Sequence, residues 1–537
     1  MQVKITIMEG ALMKLGHWMT AKDILRINAF KYPDKIGIKD LNKQWTFKQW
    51  DDRACRLANA LADLGMKKGD RFAVLAYNCI EWMEFYGAAA KGGFICVPIM
   101  FRLAAVEMEY NINHSECKVF IVQDQWVEFG NGFKDKIPGV ENYISFAVDN
   151  PKFDGYIQYE EMLAKASPAE PATKVDAADV WVIMYTGGTT GKPKGVMKTH
   201  ASLFAEYFIM IYDHQFDCDD CILLVMPCCH VNSLFYSFTV TWVGGTVMPY
   251  NMVSFNPENL LKTFADYGVT FTSLVPTHYI MMLALPDEVK KKYDLTKIKK
   301  LLCSSAPARR DTKMGIIEMF PNSKLYEAYG STEAGIVTIL KPHEQLNKLG
   351  SIGREVIGTD IIRLYDEAGN LVTKPNVVGE LYSRSPMLFE GYWKDPDKTA
   401  QAMKGEYFSA GDMAFRDEDG YYTLVDRKAN MIISGGENIF PSEVENLVGG
   451  HPKVKDVAVI GVPHEKWGEQ LTAVIVLHEG QTITPEEITG YCKGKIAGFK
   501  VPKNIYFIKD DEMPRSGAGK ILHRMLREKY GKWSDHQ

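Results

Sequence analysis

Along the first third of the chain, short apolar runs alternate with stretches of helical period, and this alternation restricts the possible folds more than any other feature. Thr46 is placed to N-cap a helix whose apolar residues Trp50, Cys55, Leu57, Ala58, Leu61 and Leu64 recur at near-helical spacing until Gly65 stops it. Residues 71–76 read as a strand and the stretch through Trp82 and Phe85 to Ala90 as a helix. After the Gly92-Gly93 break, residues 94–98 read as a second strand. Two strands joined by a helix predict a parallel β-α-β unit, and parallel sheets are covered on both faces. The pattern returns at residues 221–226, 269–275 and 299–303. Of the 537 residues, 46% are hydrophobic and 24% charged, enough apolar surface for a large core and too much for broad disorder.

The end of the chain reads differently. Two strands at 457–462 and 471–477 precede a helix opened by Thr484-Pro485-Glu486-Glu487, which combines a capping threonine, a first-turn proline and a capping-box glutamate; Asn504–Ile508 is a third strand. The expected fold class is therefore α/β, a large N-terminal domain of covered, mostly parallel sheets over residues 1–427, followed by a small α+β domain over 428–537.

Composition removes several classes of function. Lysine plus arginine (62) nearly balances aspartate plus glutamate (67), and no long run of one sign marks a nucleic-acid arm or a membrane-binding segment. No apolar stretch approaches the roughly 18–20 residues that span a bilayer. The opening segment carries Glu9 and no small-residue cleavage site, unlike a secretory signal. Ten cysteines are too sparse for a disulfide framework in so long a chain, and the expected compartment is the reducing cytoplasm.

The chemistry concentrates in Tyr185-Thr-Gly-Gly-Thr-Thr-Gly-Lys-Pro-Lys-Gly195, directly after an apolar run. Glycines with open backbone amides, threonine hydroxyls and lysines are the groups that hold a polyphosphate. The Walker A pattern is excluded, because Thr186 stands where its first glycine belongs and Pro193 where its magnesium-binding hydroxyl belongs. By composition alone such a loop is equally an ordinary glycine-rich turn.

The string resembles the phosphate loop of the adenylate-forming superfamily, which contains acyl- and aryl-CoA synthetases, luciferases and the adenylation domains of peptide synthetases. Further segments follow in that family's order: Tyr329-Gly-Ser-Thr-Glu333, Ser409-Ala-Gly-Asp412, Asp426-Arg427-Lys428 with Ser434-Gly-Gly-Glu-Asn438, and Pro514-Arg-Ser-Gly-Ala-Gly-Lys520. The resemblance implies an AMP-forming acyl-CoA synthetase with a mobile C-terminal domain, using Mg²⁺, ATP and coenzyme A as a monomer or homodimer. It implies that Thr186, Gly187, Gly188, Thr189, Thr190, Gly191 and Lys194 hold phosphates, that Thr332 contacts the α-phosphate and that Glu333 binds Mg²⁺. Ser305, Ala306, Pro307, Glu327, Ala328, Gly330 and Ser331 would enclose AMP around Tyr329, with Asp412 and Arg427 toward the ribose. Lys520 would bridge substrate carboxylate and α-phosphate. The acyl pocket would be lined by His230, Val231, Phe235, Val275, Ser304 and Gly330, and Ser434, Gly435, Gly436 and Glu437 would flank the pantetheine tunnel.

Ala429 departs from the family, which usually carries Asp or Lys there as the hinge between two poses of the C-terminal domain; Asn430 follows where Asp is common, so an altered balance of poses is expected. The acyl-wall residues are small or apolar, which points to a compact aryl, alicyclic or short branched monocarboxylate, with a medium- or long-chain fatty acid as the alternative. Two further readings stay open: a non-catalytic nucleotide-binding protein, and a zinc site built from His214, Cys218, Cys221, Cys228, Cys229 and His230.

Overall fold

The computed structural model describes residues 18–147, 152–186, 193–304, 308–434, 437–464, 467–515 and 521–531. Expected sites at 187–191, 305–307, 435, 436 and 520 lie outside the described residues, as do the side chains of Ala429 and Glu437.

The β-α-β unit forms as the alternation requires. Helix Phe47–Asp63 starts at Thr46, whose hydroxyl accepts from the Gln49 amide while the Gln49 side chain returns to the Thr46 amide; Gly65 ends the turn at φ 92°. Strands Arg71–Leu75 and Ile95–Ile99 pair in parallel across helix Glu81–Gly92, which Gly93 closes in the left-handed conformation. That helix is buried on every side. Its ionisable side chains are tolerated there because each is paired: Glu84 with Arg53 at 2.7 Å, and Lys91 with Asp51 at 2.8 Å and Glu170 at 2.5 Å.

Two large sheets build the N-terminal part. In the first, of eight strands, Val180–Thr186 runs parallel to Ile95–Ile99 and turns back antiparallel into Lys194–Thr199, whose outer edge is covered by Gly391–Tyr392. The second, of nine strands, sets Cys221–Leu224, Phe271–Leu274, Lys300–Ser304 and Lys324–Ser331 side by side in parallel, then reverses into Gly335–Leu340. Helices His200–His214 and Val231–Trp242 lie between the sheets with Phe47–Asp63 and Glu81–Gly92, in one cluster that includes Trp50, Trp82, Tyr86, Trp181, Tyr207 and Phe238. Burying such an aromatic contributes about 2–3 kcal/mol each, so this shared layer binds the two sheets together. A four-stranded antiparallel sheet ending in Tyr422–Arg427 completes the region.

After the single turn Lys428–Asn430 a separate sheet begins. Its long hairpin, Val454–His464 against Gly468–Leu477, carries Asn504–Ile508 in parallel on the outer side, and helix Pro485–Cys492 opens with the Thr484–Glu487 capping box. Sequence periodicity missed the short strands Ile432–Ser434 and Glu437–Ile439 and helix Pro441–Gly449, because they are too brief to show a period. At the junction, the Asp426 carboxylate accepts from the Ser442 amide at 2.9 Å and from the Asn430 side-chain amide at 3.3 Å, while Arg527 donates to the Asn430 side-chain oxygen at 3.2 Å. Among the described residues, no helix is long and apolar enough to cross a membrane.

Candidate active site

Several of the expected residues that the structure describes lie where parallel strands end. Thr186 is the last residue of Val180–Thr186 and lies in register with Lys194, the first residue of the returning strand, so the glycine-rich segment joins two paired strands. The Thr186 hydroxyl is 3.4 Å from a Glu333 carboxylate oxygen. That same oxygen accepts from the Tyr392 hydroxyl at 3.0 Å, and the Lys194 ammonium donates to the Tyr392 oxygen at 2.9 Å. Burial depresses the Lys194 pKa and the nearby Glu333 charge opposes that shift. Burial, then Glu333, raises the Tyr392 hydroxyl, which stays protonated and able to donate. Tyr392 carries no motif chemistry and was not singled out in the sequence; the pairing of Tyr392 with Val196 on the sheet edge brings it here.

Glu333 follows strand Lys324–Ser331 in a tight turn that the Ser331 hydroxyl closes by accepting from the Ala334 amide at 3.0 Å. Gly330 is dictated by the hairpin: a Cβ at this position would lie 2.1 Å from the Gly335 carbonyl oxygen. Thr332 is half-buried beside Glu333. On the other side, the Tyr329 hydroxyl donates to Asp412 at 2.6 Å, and Arg427 pairs with the other Asp412 oxygen at 2.6 Å while donating to the Ala410 carbonyl at 2.8 Å. Tyr329, Asp412 and Arg427 thus form one connected group. Glu327 is held within the protein. Its carboxylate is engaged by Lys313 and by the Ala308 amide at 3.0 Å, leaving it a brace for the chain around 308.

The residues expected at an acyl wall lie on neighbouring elements. Val275 and Ser304 stand at the ends of neighbouring parallel strands, and Ser304 lies in register with Ala328 two residues before Gly330. The Ser304 and Ser273 hydroxyls are 3.2 Å apart, and Asn232 donates to Ser273 at 3.1 Å, tying the strand ends to the start of helix Val231–Trp242. His230 caps that helix, Val231 begins it and Phe235 is one turn further in. Crevices beyond the carboxyl ends of parallel strands are where such sheets bind ligands. Ser434 pairs with Glu437 and with Gly468 in the C-terminal sheet.

The cysteines and histidines of the zinc reading do not assemble. Among the described residues, the side chains close enough to share a metal are Asp51, Cys55 and Glu170, and there the Lys91 ammonium already supplies the positive charge. His214 instead stacks on Phe216, and burial lowers its pKa to about 3.

Comparison with known proteins agrees with this geometry. The AMP-binding enzyme family matches residues 25–393 and the AMP-binding enzyme C-terminal domain matches residues 443–520. A feruloyl-CoA synthase from Amycolatopsis is 34% identical over 96% of this chain and 99% of its own length. An indoleacetate–CoA ligase from Aromatoleum aromaticum is 32% identical over 96% and 98%. The crystal structure of the anthranilate CoA ligase AuaEII in complex with anthranoyl-AMP superposes with a TM-score of 0.85 at 25% identity, covering 95% of this chain and 97% of that one. The chain belongs to the AMP-binding enzyme family, in the acyl- and aryl-CoA synthetase branch of the adenylate-forming superfamily.

Proposed function

We propose that the chain is an AMP-forming carboxylate–CoA ligase: a carboxylate and ATP give an acyl-adenylate and pyrophosphate, and coenzyme A then gives the acyl-CoA and AMP. The observation that carries this reading is the Lys194–Tyr392–Glu333 chain at the end of the phosphate-loop hairpin, facing the Tyr329–Asp412–Arg427 group. Attack of one anion on the α-phosphorus of another requires the repulsion to be neutralised before reaction, and no base is needed because the nucleophile is already ionised. Lys194 supplies a cation fixed by Tyr392, and Thr189, Thr190 and Thr332 supply hydroxyls to the phosphates. Asp412 accepts from the ribose hydroxyls, with Arg427 holding its orientation, and Tyr329 faces the adenine.

Magnesium fits Glu333, since a buried carboxylate with the Thr186 hydroxyl beside it offers the hard oxygen donors this ion takes together with phosphate oxygens. When bound it would supply charge neutralisation on those phosphates. We place the division between a nucleotide- and acid-binding unit, 1–427, and a unit carrying Lys520, 428–537, at the turn after Arg427. Ser434, Gly435, Gly436 and Glu437 then flank the coenzyme A path. The substrate is a compact aryl, alicyclic or short branched monocarboxylate, a reading supported by the small and apolar acyl wall.

Separating the half-reactions tests this assignment. Lys520→Ala is expected to lose roughly 3–4 kcal/mol of transition-state stabilisation in adenylation, about a 10²- to 10³-fold fall in carboxylate-dependent ATP–pyrophosphate exchange. The variant should still form thioester when given acyl-adenylate and coenzyme A. Exchange at the wild-type rate contradicts the role given to Lys520.

A further inference from the structure

Behind the acyl wall the structure holds an acid that the reaction as described does not use. Glu206, on helix His200–His214, is fully buried, and among the described residues no side chain hydrogen-bonds its carboxylate oxygens, the Ile336 amide being the backbone group that acts on them. The Tyr207 and Tyr236 hydroxyls, buried in the same layer and both acted on by the Glu206 charge, are also without partners. Burial raises the Glu206 pKa to about 8; Lys198 and the Ile336 amide pull it down without cancelling the effect, so at neutral pH the carboxyl is largely protonated and can both donate and accept.

Its position ties it to the acyl wall. A Cβ built on Gly335 would lie 3.4 Å from one Glu206 oxygen, and Gly335 and Ile336 pair across the hairpin with Ser331 and Gly330. The second buried ionisable group, Lys198, hydrogen-bonds the Met387 carbonyl and sits 5.7 Å from the centre of the Phe235 ring. Gly330 and Phe235 were both assigned to the acyl wall, so Glu206 and Lys198 stand directly behind it. A glutamate serving only to fill space would leave carboxyl hydrogen-bonding capacity unmet where a leucine would leave none.

We propose that Glu206 is a specificity-determining residue at the inner end of the acyl pocket, where its carboxyl pairs with a neutral hydroxyl or N–H group carried by a compact aryl or alicyclic acid at the end opposite its reacting carboxylate. The proposal rests on the ligase reading and refines it: the acid has an apolar body and one polar end. A cationic amine is disfavoured, because the Lys198 ammonium lies in the same layer and would repel it.

The test compares kcat/KM for acids matched in shape but differing at that end: 4-hydroxybenzoate with 4-methylbenzoate, 3-(4-hydroxyphenyl)propanoate with its methyl analogue, and 4-hydroxycyclohexanecarboxylate with its methyl analogue. In at least one pair the wild-type enzyme should favour the hydroxyl tenfold or more. Glu206→Leu should bring the hydroxyl-to-methyl ratio to within about twofold. The wild-type comparison needs no variant, so a misfolded leucine variant does not block the test. Turnover with hydroxyl and methyl acids used equally in every pair, or a ratio unchanged in a folded Glu206→Leu enzyme, overturns the proposal and leaves the ligase reading standing. Absence of both AMP release and pyrophosphate exchange with every acid overturns the ligase reading and the proposal with it.

Discussion

Tyr392 shows how much of the site depends on single contacts. Its hydroxyl accepts a hydrogen bond from the Lys194 ammonium at 2.9 Å and donates one to Glu333 at 3.0 Å, so it holds a cation and an anion at a fixed spacing without letting them collapse into a direct pair. Tyr392→Phe keeps the ring under the Lys194 ammonium, 4.1 Å from the centroid, and removes only the oxygen. The loss of a hydrogen bond to a charged group is worth about 1.5 kcal/mol, so kcat/KM for ATP should fall roughly tenfold, with the magnesium concentration for half-maximal exchange shifted upward. An unchanged magnesium dependence would show that the tyrosine only packs. Such a residue leaves little trace in one-dimensional patterning. Lys194 and Glu333 are visible because strings of unusual composition surround them, whereas Tyr392 acquires its role through an edge-strand pairing some two hundred positions away. Glu327 is the converse. Its place just before the Tyr329–Glu333 motif suggested nucleotide binding by resemblance, and only the fold reveals Lys313 at its carboxylate.

At the scale of elements, the C-terminal helix His523–Tyr530 is held to helix Pro441–Gly449 by His523, whose Nε2 lies 2.7 Å from Glu445; the same Glu445 oxygen accepts from the Val459 amide at 2.7 Å. Burial by itself lowers the His523 pKa, but the Glu445 hydrogen bond and charge, with Asp426 adding to them against Arg527, raise it above 6.5. A histidine whose folded pKa is raised contributes stability that is complete below its unfolded pKa and disappears as pH rises through the folded one. The difference in melting temperature between the wild type and His523→Gln should therefore be largest below pH 6.5 and shrink progressively above it. A difference that is constant with pH, or that grows on the alkaline side, would contradict the pairing. The strands and capped helices around these contacts were legible from local rules: the Thr46 and Thr484 capping boxes and Asn504–Ile508 all stand where composition put them. The long hairpin was legible as two strands but extends beyond the expected ends, because its flanking polar residues join the ladder through backbone pairing, to which an apolar pattern is blind.

Across the whole molecule, the two candidate half-sites lie on opposite sides of one short turn. Arg427 closes the Asp412 group as the last residue of its strand, and the following turn, Lys428–Asn430, leads into the sheet that carries the expected coenzyme A segment. Among the described residues, Arg309 donates to the Gly449 carbonyl at 2.9 Å, Asp426 accepts from the Ser442 amide, and the Ser442 hydroxyl donates to the Val425 carbonyl. Asp426, Asn430 and Arg527 are linked around the turn in which Ala429 departs from the family pattern. The acyl pocket was legible only as a list of small and apolar positions; the acid and the lysine behind it became visible once two sheets were packed around the same helices. The central claim is tested most directly by AMP release with ATP, Mg²⁺ and coenzyme A across benzoate, cyclohexanecarboxylate, branched short-chain and straight C4 to C16 acids, with the thioester identified by mass. The account predicts acid-dependent release with an optimum among the compact cyclic or branched acids and a thioester of matching mass. No thioester and no carboxylate-dependent pyrophosphate exchange with any acid would contradict it, and would mark the chain as a nucleotide-binding protein without ligase chemistry.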